Sequence, residues 1–285
     1  MFKKLHSNRG PSNAAFLLAL LAAGVTAGAQ QQPPARFHLQ EARIADIQQA
    51  ILTDQVTTVS TTGRNPNASI CLKESSLLPL GGLKLQVVMP SREVVTVETS
   101  LIGEFNAANI IQVLGLISVL QETTKWTIQM PDVIRAIARF KGVKKRQEFL
   151  GTYKGALVYT DFAHHPTAVR KIIECFRHSF PDRHLIVAFE PKNASSRRSV
   201  FMKEYQKNFA LADQVLLGVC PFDSKLSSDE KMDTEVLAQG IGRKAFAVKD
   251  HKEILDWSKN NLSASDLIIF MTCGDFSGIM GELFS

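Results

Sequence analysis

The sequence has few of the features that mark a metal-binding or disulfide-built protein. Its 285 residues include only four cysteines, at positions 71, 175, 220 and 273, and no two of them form a C-x-x-C pair. This spacing excludes a zinc knuckle or a thioredoxin-like redox motif written in the sequence. Scattered thiols are expected to be small core residues of a reduced compartment, although four of them would also permit two disulfides after export.

A strong charge of one sign is also missing. The chain has 33 basic and 27 acidic residues, a formal net charge of +6. Three of the basic residues, Lys3, Lys4 and Arg9, lie in a predicted leader, and a chain without them has a net charge near +3. Such a balance is not the electrostatic footprint of a nucleic-acid-binding protein.

The N-terminal apolar run is too short for a stable membrane anchor. It extends from Ala14 to Val25, about a dozen residues, whereas a bilayer takes about 20. The three basic residues precede this run and the triplet AGA follows it at 27–29, which is the pattern of a cleaved secretory signal. The sequence therefore predicts a leader over residues 1–29 and export of the chain.

The segment 30–82 has a different character. Ile44, Ile47, Ile51 and Leu52 recur at helical spacing and predict a helix over residues 43–53, and the polar stretch STTGRNPNAS follows it. Residues 37–58 resemble the start of amidase signature family enzymes, but the Gly/Ser-rich catalytic stretch and the lysine of that family are not in the chain. We interpret 30–82 as an amidase-like N-terminal fragment and linker.

The remainder predicts an α/β protein. Between 83 and 150 the patterns indicate a hairpin (83–90 and 93–100), an apolar helix from Asn106 and a helix from Pro131. From 151 to 285, short apolar strands alternate with helices, which predicts a Rossmann-like, mostly parallel sheet with helices on both faces. The strand sequences are ALVYTDF, HLIVAFE, QVLLGV, AFAVKD and DLIIFMT.

Two groups of polar residues ahead of this sheet are candidates for a nucleotide site. Asn106 and Asn109 lie three apart on one helix face, where their carboxamides could pair with the edge of a base. The alternative is that Asn106 only caps the helix. In FKGVKKRQE, Arg146 closes a basic run that would suit phosphate oxygens, unless the run is simply a solvated face.

The stretch TDFAHHP follows a strand. Asp161 lies at the strand's carboxyl end, where open α/β sheets bind ligands, and its carboxylate could accept ribose hydroxyls. His164 and His165 are adjacent, so their rings diverge on an extended backbone and do not suggest a metal site.

Two later strand ends carry further candidates. Ser195, Arg197 and Arg198 are predicted to lie at the start of a helix, where hydroxyls and guanidinium groups would receive a carboxylate or a phosphate. A capped helix with an exposed arginine pair is the alternative. Gly274 and Gly278 follow the last strand and would let backbone approach a ligand.

The order of these motifs resembles the Mur ligase family, in particular its muropeptide ligase branch. The motifs are SLIGEFNAAN, ARFKGVKKRQE, GALVYTDFAHHPTAVR, IVAFEPKNASSRRSVF and IIFMTCGDFSGIM, and the resemblance covers about residues 84–285. By this resemblance, residues 83–150 are part of the central ATPase domain and 151–285 the C-terminal domain.

The resemblance implies a chemistry and a set of ligands. Mur ligases use ATP and Mg²⁺ to convert a carboxylate to an acyl phosphate, which an incoming amine displaces to form an amide. The implied substrates are UDP-N-acetylmuramate and the peptide L-Ala-γ-D-Glu-meso-diaminopimelate. The implied nucleotide contacts are Asn106, Asn109, Arg146 and Asp161, and the implied peptide-facing residues are His164, His165, Ser195, Arg197, Arg198, Gly274 and Gly278.

The chain also departs from the family pattern. It has no G-x-x-G-K-[ST] loop to cradle phosphates, and the resemblance includes neither a UDP-binding domain nor the Mg²⁺-binding residues of the central domain. We therefore expect ligation to be absent in this chain alone, and the alternatives are a non-catalytic peptide- or nucleotide-binding module and an exported protein of unrelated role. The ligase resemblance implies a cytoplasmic location, against the predicted leader. A join within 59–83, by natural fusion or by gene assembly, would explain why an exported, amidase-like beginning precedes a ligase-like remainder.

Overall fold

The computed structural model describes residues 62–123, 127–221, 227 and 229–285. The described residues divide into two compact units, the first ending at residue 141 and the second comprising 142–285. The predicted leader, the amidase-like stretch 37–58 and the predicted helix 43–53 lie outside the described residues. No helix within the described ranges is long and apolar enough to cross a membrane.

The first unit is built on a four-stranded sheet. Its strands are β1 (Thr62–Gly63), β2 (Ile70–Leu77), β3 (Leu83–Val88) and β4 (Val94–Thr99), in that order across the sheet. β1 is parallel to β2, and the other pairs are antiparallel. The hairpin predicted from the alternating residues of 83–100 is confirmed, with Leu83 opposite Thr99.

Residues 62–63 and 70–77 belong to this sheet, although no strand was predicted in the segment 30–82. Three consecutive residues of β2, Ile70 to Leu72, are buried, and the strand then turns polar and exposed after a register shift between Leu72 and Glu74. The bulge breaks the two-residue alternation that identifies a strand in a sequence. This interruption hid β2 from the pattern.

Two helices complete the described part of the first unit. The predicted apolar helix is α1 (Glu104–Thr123), which begins two residues earlier than expected. The predicted Pro131 helix is α2 (Met130–Arg139), where proline occupies the first turn and only Val133 and Ile137 are buried. Proline fits there because the first N–H groups of a helix have no partner within it.

The second unit is a six-stranded sheet with intervening helices. The strands are β5 (Glu148–Tyr153), β6 (Ala156–Asp161), β7 (His184–Phe189), β8 (Gln214–Leu217), β9 (Ala245–Ala247) and β10 (Asp266–Met271). The helices are α3 (Pro166–Ser179), α4 (Met202–Phe209), α5 (Thr234–Ile241), α6 (His251–Asn261) and α7 (Ile279–Glu282). The sheet order is β5-β6-β10-β7-β8-β9, and only β5 is antiparallel to its neighbour. The predicted parallel-rich α/β fold is confirmed.

Register in the sheet centre brings three strand ends to one edge. Every residue of β6 and β10 is buried, as expected for strands covered on both faces. Met271, the last residue of β10, is paired with Asp161 of β6 on one side and with Phe189 of β7 on the other. The segments that follow these three strands therefore begin side by side.

The tight turn between β5 and β6 gives a test of the packing of the second unit. Gly155 has a φ of +83°, and a Cβ placed there would lie 2.7 Å from the Cβ of Ala264. We expect Gly155→Ala to lower the free energy of unfolding by about 2–4 kcal/mol, because the left-handed backbone costs roughly 1–2 kcal/mol and the clash adds to it.

Gly278→Ala is the matched control, since Gly278 has a left-handed φ of +88° but open space around its Cβ position. Urea unfolding of both variants is the measurement. Equal losses for the two would show that contact with Ala264 does not limit this turn.

Candidate functional site

The candidate site lies at the shared edge where β6, β7 and β10 end. Three buried polar residues close the three strands: Asp161 ends β6, Glu190 follows β7 and Thr272 follows β10. Backbone hydrogen bonds continue just beyond the strands, from Thr272 N to Asp161 O at 2.9 Å and from Glu190 N to Met271 O at 3.0 Å. Carboxyl ends of parallel strands are where α/β sheets hold ligands.

Asp161 is held by two backbone N–H groups. Its Oδ2 accepts from Gln147 N at 2.9 Å and its Oδ1 from Ala163 N at 2.7 Å. Only 2% of the residue is exposed. A carboxylate offers about four lone-pair positions, so these two bonds use only part of its capacity as an acceptor.

Burial raises the pKa of Asp161 to about 6. Loss of hydration disfavours the charged form and is the largest effect, while the N–H groups of Gln147 and Ala163 and the positive charge of Arg146 lower the pKa. At neutral pH the carboxylate is thus mainly ionised but is close to taking up a proton.

A loop at 145–147 packs over Asp161. Its backbone is unusual, because Lys145 and Gln147 have φ values of +57° and +49°, a region that residues with a Cβ rarely adopt. Lys145 O accepts from Phe162 N at 2.8 Å, which fixes the loop to the end of β6. Between the two, Arg146 is exposed, with its guanidinium carbon 5.3 Å from the centroid of the Phe162 ring.

The same loop reaches the segment after β10. Lys145 Nζ donates to Gly274 O at 2.6 Å, and Gly274 N donates to Thr272 Oγ1 at 2.7 Å. A Cβ at Gly274 would lie 2.6 Å from Lys192 Nζ and 3.0 Å from Glu190 Oε2. A side chain at position 274 would therefore require the Lys192 side chain to move, and the predicted approach of this backbone to a ligand remains a prediction.

Glu190 is a buried carboxylate beside a lysine and a histidine. Thr272 donates its hydroxyl to Oε2, whereas Oε1 lies 3.7 Å from Lys192 Nζ and 3.9 Å from His251 Nε2. His251 Nε2 accepts from Val219 N at 3.1 Å, which requires an unprotonated nitrogen there. Burial lowers the pKa of His251, consistent with a neutral ring.

The two adjacent histidines contact different neighbours. His165 precedes α3 as its N-cap, and its Nδ1 accepts from Thr167 N at 3.4 Å. His164 Nδ1 lies 3.0 Å from Phe162 O, and its own carbonyl accepts from the Tyr205 hydroxyl. Both side chains thus have structural contacts, and their substrate role stays a prediction.

The turn after β7 differs from the predicted helix start. Asn193 Oδ1 accepts from Ser195 N and Ser195 Oγ, both at 3.0 Å, and thereby closes a local turn. Met232 N donates to Arg197 O at 2.7 Å, and the backbones of Arg198 and Lys231 form an isolated antiparallel β-bridge. This pairing with 230–232 keeps the arginines out of a helix, which begins only at Met202 after a 3₁₀ turn at Ser199–Phe201.

The three remaining predicted residues are Gly278, in the segment after β10, and Asn106 and Asn109, in the first unit. Gly278 is exposed and is the N-cap residue of α7. A Cβ there would meet nothing, so glycine is favoured at this position by its left-handed φ of +88° and not by close packing. Asn106 is inside the first turn of α1 and donates from Nδ2 to Ile102 O at 2.7 Å, so it is not the N-cap. Asn106 and Asn109 are both buried in the first unit, and their nucleotide role remains a prediction.

Some site residues carried little or no signal in the sequence. Glu190 was visible only as the acid of a strand-ending FEP motif, and Lys145 only as one member of a basic run. Gln147 and His251 gave no signal, because their positions depend on contacts between segments far apart in the chain. Across the described ranges, no group of three or more His, Cys, Asp and Glu side chains could hold a metal ion.

Open, parallel-rich α/β sheets hold their ligands at the carboxyl ends of the strands, which is the edge that carries these polar residues. Residues 145–274 match the family profile described as Mur ligase, glutamate ligase domain. This segment is therefore similar to Mur ligase C-terminal domains, in agreement with the resemblance of its motifs.

Individual relatives show the same similarity. A UDP-N-acetylmuramate–L-alanine ligase of Desulfitobacterium hafniense is 29% identical over 184 residues, which cover 62% of this chain and 40% of the relative. The chain thus matches less than half of that enzyme. This relative is named for L-alanine, so the match does not distinguish the muropeptide branch that the motifs predicted.

Solved structures share the fold. The UDP-N-acetylmuramate–alanine ligase of Thermotoga maritima superposes with a TM-score of 0.61 at 19% identity, over 79% of this chain and 47% of that one. MurF ligase of Thermotoga maritima, solved in complex with ADP, gives 0.55 at 16% identity over 85% and 51%.

The raised pKa of Asp161 predicts a pH dependence of stability. An acid whose folded pKa is about 6 and whose unfolded pKa is near 4 binds more protons when folded, so it stabilises the fold at low pH and this contribution is lost as pH rises from about 4 to 6. At about 1.4 kcal/mol per pKa unit, the change is about 3 kcal/mol.

Urea unfolding of the wild type and of Asp161→Asn at pH 4.5 to 7.5 measures this term. The stability of the wild type relative to the variant should fall by roughly 1–2 kcal/mol across that range, the part of the change that lies above pH 4.5, and then level off. A pH-independent difference would show that Asp161 titrates normally.

Proposed function

We propose that the second unit supplies the nucleotide-facing rim and the acceptor site of an ATP-dependent ligase for peptidoglycan precursors. The observation that carries this proposal is the 145–147 loop. It presents the exposed guanidinium of Arg146 beside Asp161, and it links that rim through Lys145 to Gly274 after β10. One loop thus connects the proposed nucleotide contacts with the proposed acceptor contacts.

The side chains of the rim fit a nucleotide. A guanidinium suits phosphate oxygens, and the lone pairs of Asp161 that remain after its two backbone bonds suit ribose hydroxyls. Bound ATP would supply the phosphoryl group that activates a carboxylate, while residues of this chain bind and orient. No residue is assigned to Mg²⁺, and Asn106 and Asn109 stay proposed adenine contacts on the family resemblance alone.

The acceptor side fits a ligand with several carboxylates. Lys192, Arg197 and Arg198 offer positive charge after β7, and Ser195 offers a hydroxyl in the same turn. A tripeptide such as L-Ala-γ-D-Glu-meso-diaminopimelate carries more carboxylates than L-alanine does. We therefore favour the muropeptide as acceptor and UDP-N-acetylmuramate as its partner, with His164, His165, Gly274 and Gly278 as further proposed contacts.

Two sequence-based expectations accompany this proposal. The chain has no phosphate-cradling loop of the P-loop type, so we expect binding without ligation by this chain alone. ATP chemistry also favours the cytoplasm over the export that the N-terminal pattern predicts. Cell fractionation distinguishes the two locations.

Arg146→Ala tests the nucleotide rim. Loss of a charge-assisted contact to phosphate is expected to weaken ADP binding by the full chain roughly tenfold, measured by isothermal titration calorimetry. Arg170→Ala is the control, because it removes an equal charge from an exposed i,i+4 pair with Glu174 on α3. Equal affinity of ADP for the Arg146 variant and the wild type would refute the assignment.

Arg197→Ala tests the acceptor. We expect it to weaken binding of the tripeptide by about tenfold and to have less effect on L-alanine, because the arginine would pair with a carboxylate of the longer ligand. Arg243→Ala, at an exposed position after α5, is the control. L-Alanine binding more tightly than the tripeptide would favour the specificity named for the curated relative.

A further inference from the structure

The conformation of Gln147 sets the geometry of the proposed rim. Its φ of +49° is left-handed, and in this conformation its N–H is directed at Asp161 Oδ2. A residue with a Cβ gains nothing from this region by itself, since the side chain crowds the backbone. Contacts elsewhere must therefore hold it.

The side chain of Gln147 supplies such a contact. It is 9% exposed, and its Nε2 donates to Cys175 Sγ at 3.2 Å. Cys175 lies on α3, the helix that begins shortly after Asp161. The amide therefore ties the loop over Asp161 to the helix that follows the same strand.

We propose that Gln147 is a positioning residue, whose anchored side chain holds its own backbone N–H on Asp161 and keeps the neighbouring Arg146 at the rim. The expected effect of Gln147 on nucleotide binding rests on the proposed function, whereas its effect on the hydrogen bond to Asp161 does not. The competing role is a direct contact between the Gln147 amide and a ligand.

A substitution series separates the two roles through the backbone. Glycine adopts a left-handed φ freely, alanine less readily, and a β-branched valine resists it most. If Gln147 acts through its N–H, Gln147→Gly should retain the bond to Asp161, Gln147→Ala should weaken it and Gln147→Val should lose it. If the amide itself met a ligand, all three variants would be equally impaired.

The readout is the titration of the Asp161 carboxyl carbon by ¹³C NMR in the unliganded full chain. An N–H donor stabilises the carboxylate, so its loss should raise the pKa of Asp161 further, by about half to one unit in the valine variant and least in the glycine variant. Arg146 is the charged group that acts on Asp161. The Arg146→Ala variant is titrated in parallel, so that a displaced guanidinium is distinguished from a lost N–H.

Cys175→Ala is the second route to the same test. It removes the sulfur acceptor but leaves position 147 unchanged. It should therefore raise the pKa of Asp161, as Gln147→Ala and Gln147→Val are expected to do. This variant decides the matter if the valine variant fails to fold. An unchanged pKa in both Cys175→Ala and Gln147→Ala would overturn the proposal.

ADP calorimetry on the same variants adds the functional readout. We expect affinity to fall in the order wild type, glycine, alanine, valine. If the wild type binds no ADP, the proposed function fails, and the order of the pKa values still tests Gln147. If ADP affinity in the wild type is normal and the glycine variant loses as much as the valine variant, the positioning role fails and the nucleotide site stands.

Discussion

The candidate site depends on a buried carboxylate at the end of a central strand. Asp161 is almost fully enclosed, and an ionised carboxylate can be kept there only if donors replace its lost water. The N–H groups of Gln147 and Ala163 do so, one from the loop before β5 and one from the segment leading into α3. The carboxylate therefore organises both segments, and the exposed position of Arg146 is a consequence of that arrangement.

Strand register extends this arrangement across the sheet. Because β10 lies between β6 and β7, the segment after β10 borders the Asp161 end on one side and the Glu190 end on the other. Lys145 and Gly274 join the first pair of ends, while Thr272 and Glu190 join the second. A ligand at this edge would meet a guanidinium, two lysines and a carboxylate within one continuous set of contacts, which suits substrates that carry phosphates and carboxylates.

Much of the second unit could be predicted from the sequence, because its strands are continuous apolar runs that end at polar residues. Asp161 and the Gly274 segment were identified by that rule. The helix predicted around Arg197 and Arg198 does not form there, since pairing of their backbone with residues 230–232 is a long-range contact that no local pattern contains. The left-handed backbone at Gln147 was equally hidden, because nothing in a glutamine indicates a positive φ. In the first unit, a bulge concealed β2.

A crystal structure of the chain grown with ADP tests the central claim most directly, namely that this strand edge is a nucleotide rim. The account predicts a ribose hydroxyl within about 3 Å of the Asp161 carboxylate and phosphate oxygens beside the Arg146 guanidinium, with the two backbone bonds to Asp161 retained. The account would be contradicted if ADP bound elsewhere, with Arg146 directed into solvent and with Asp161 accepting hydrogen bonds only from the N–H groups of Gln147 and Ala163.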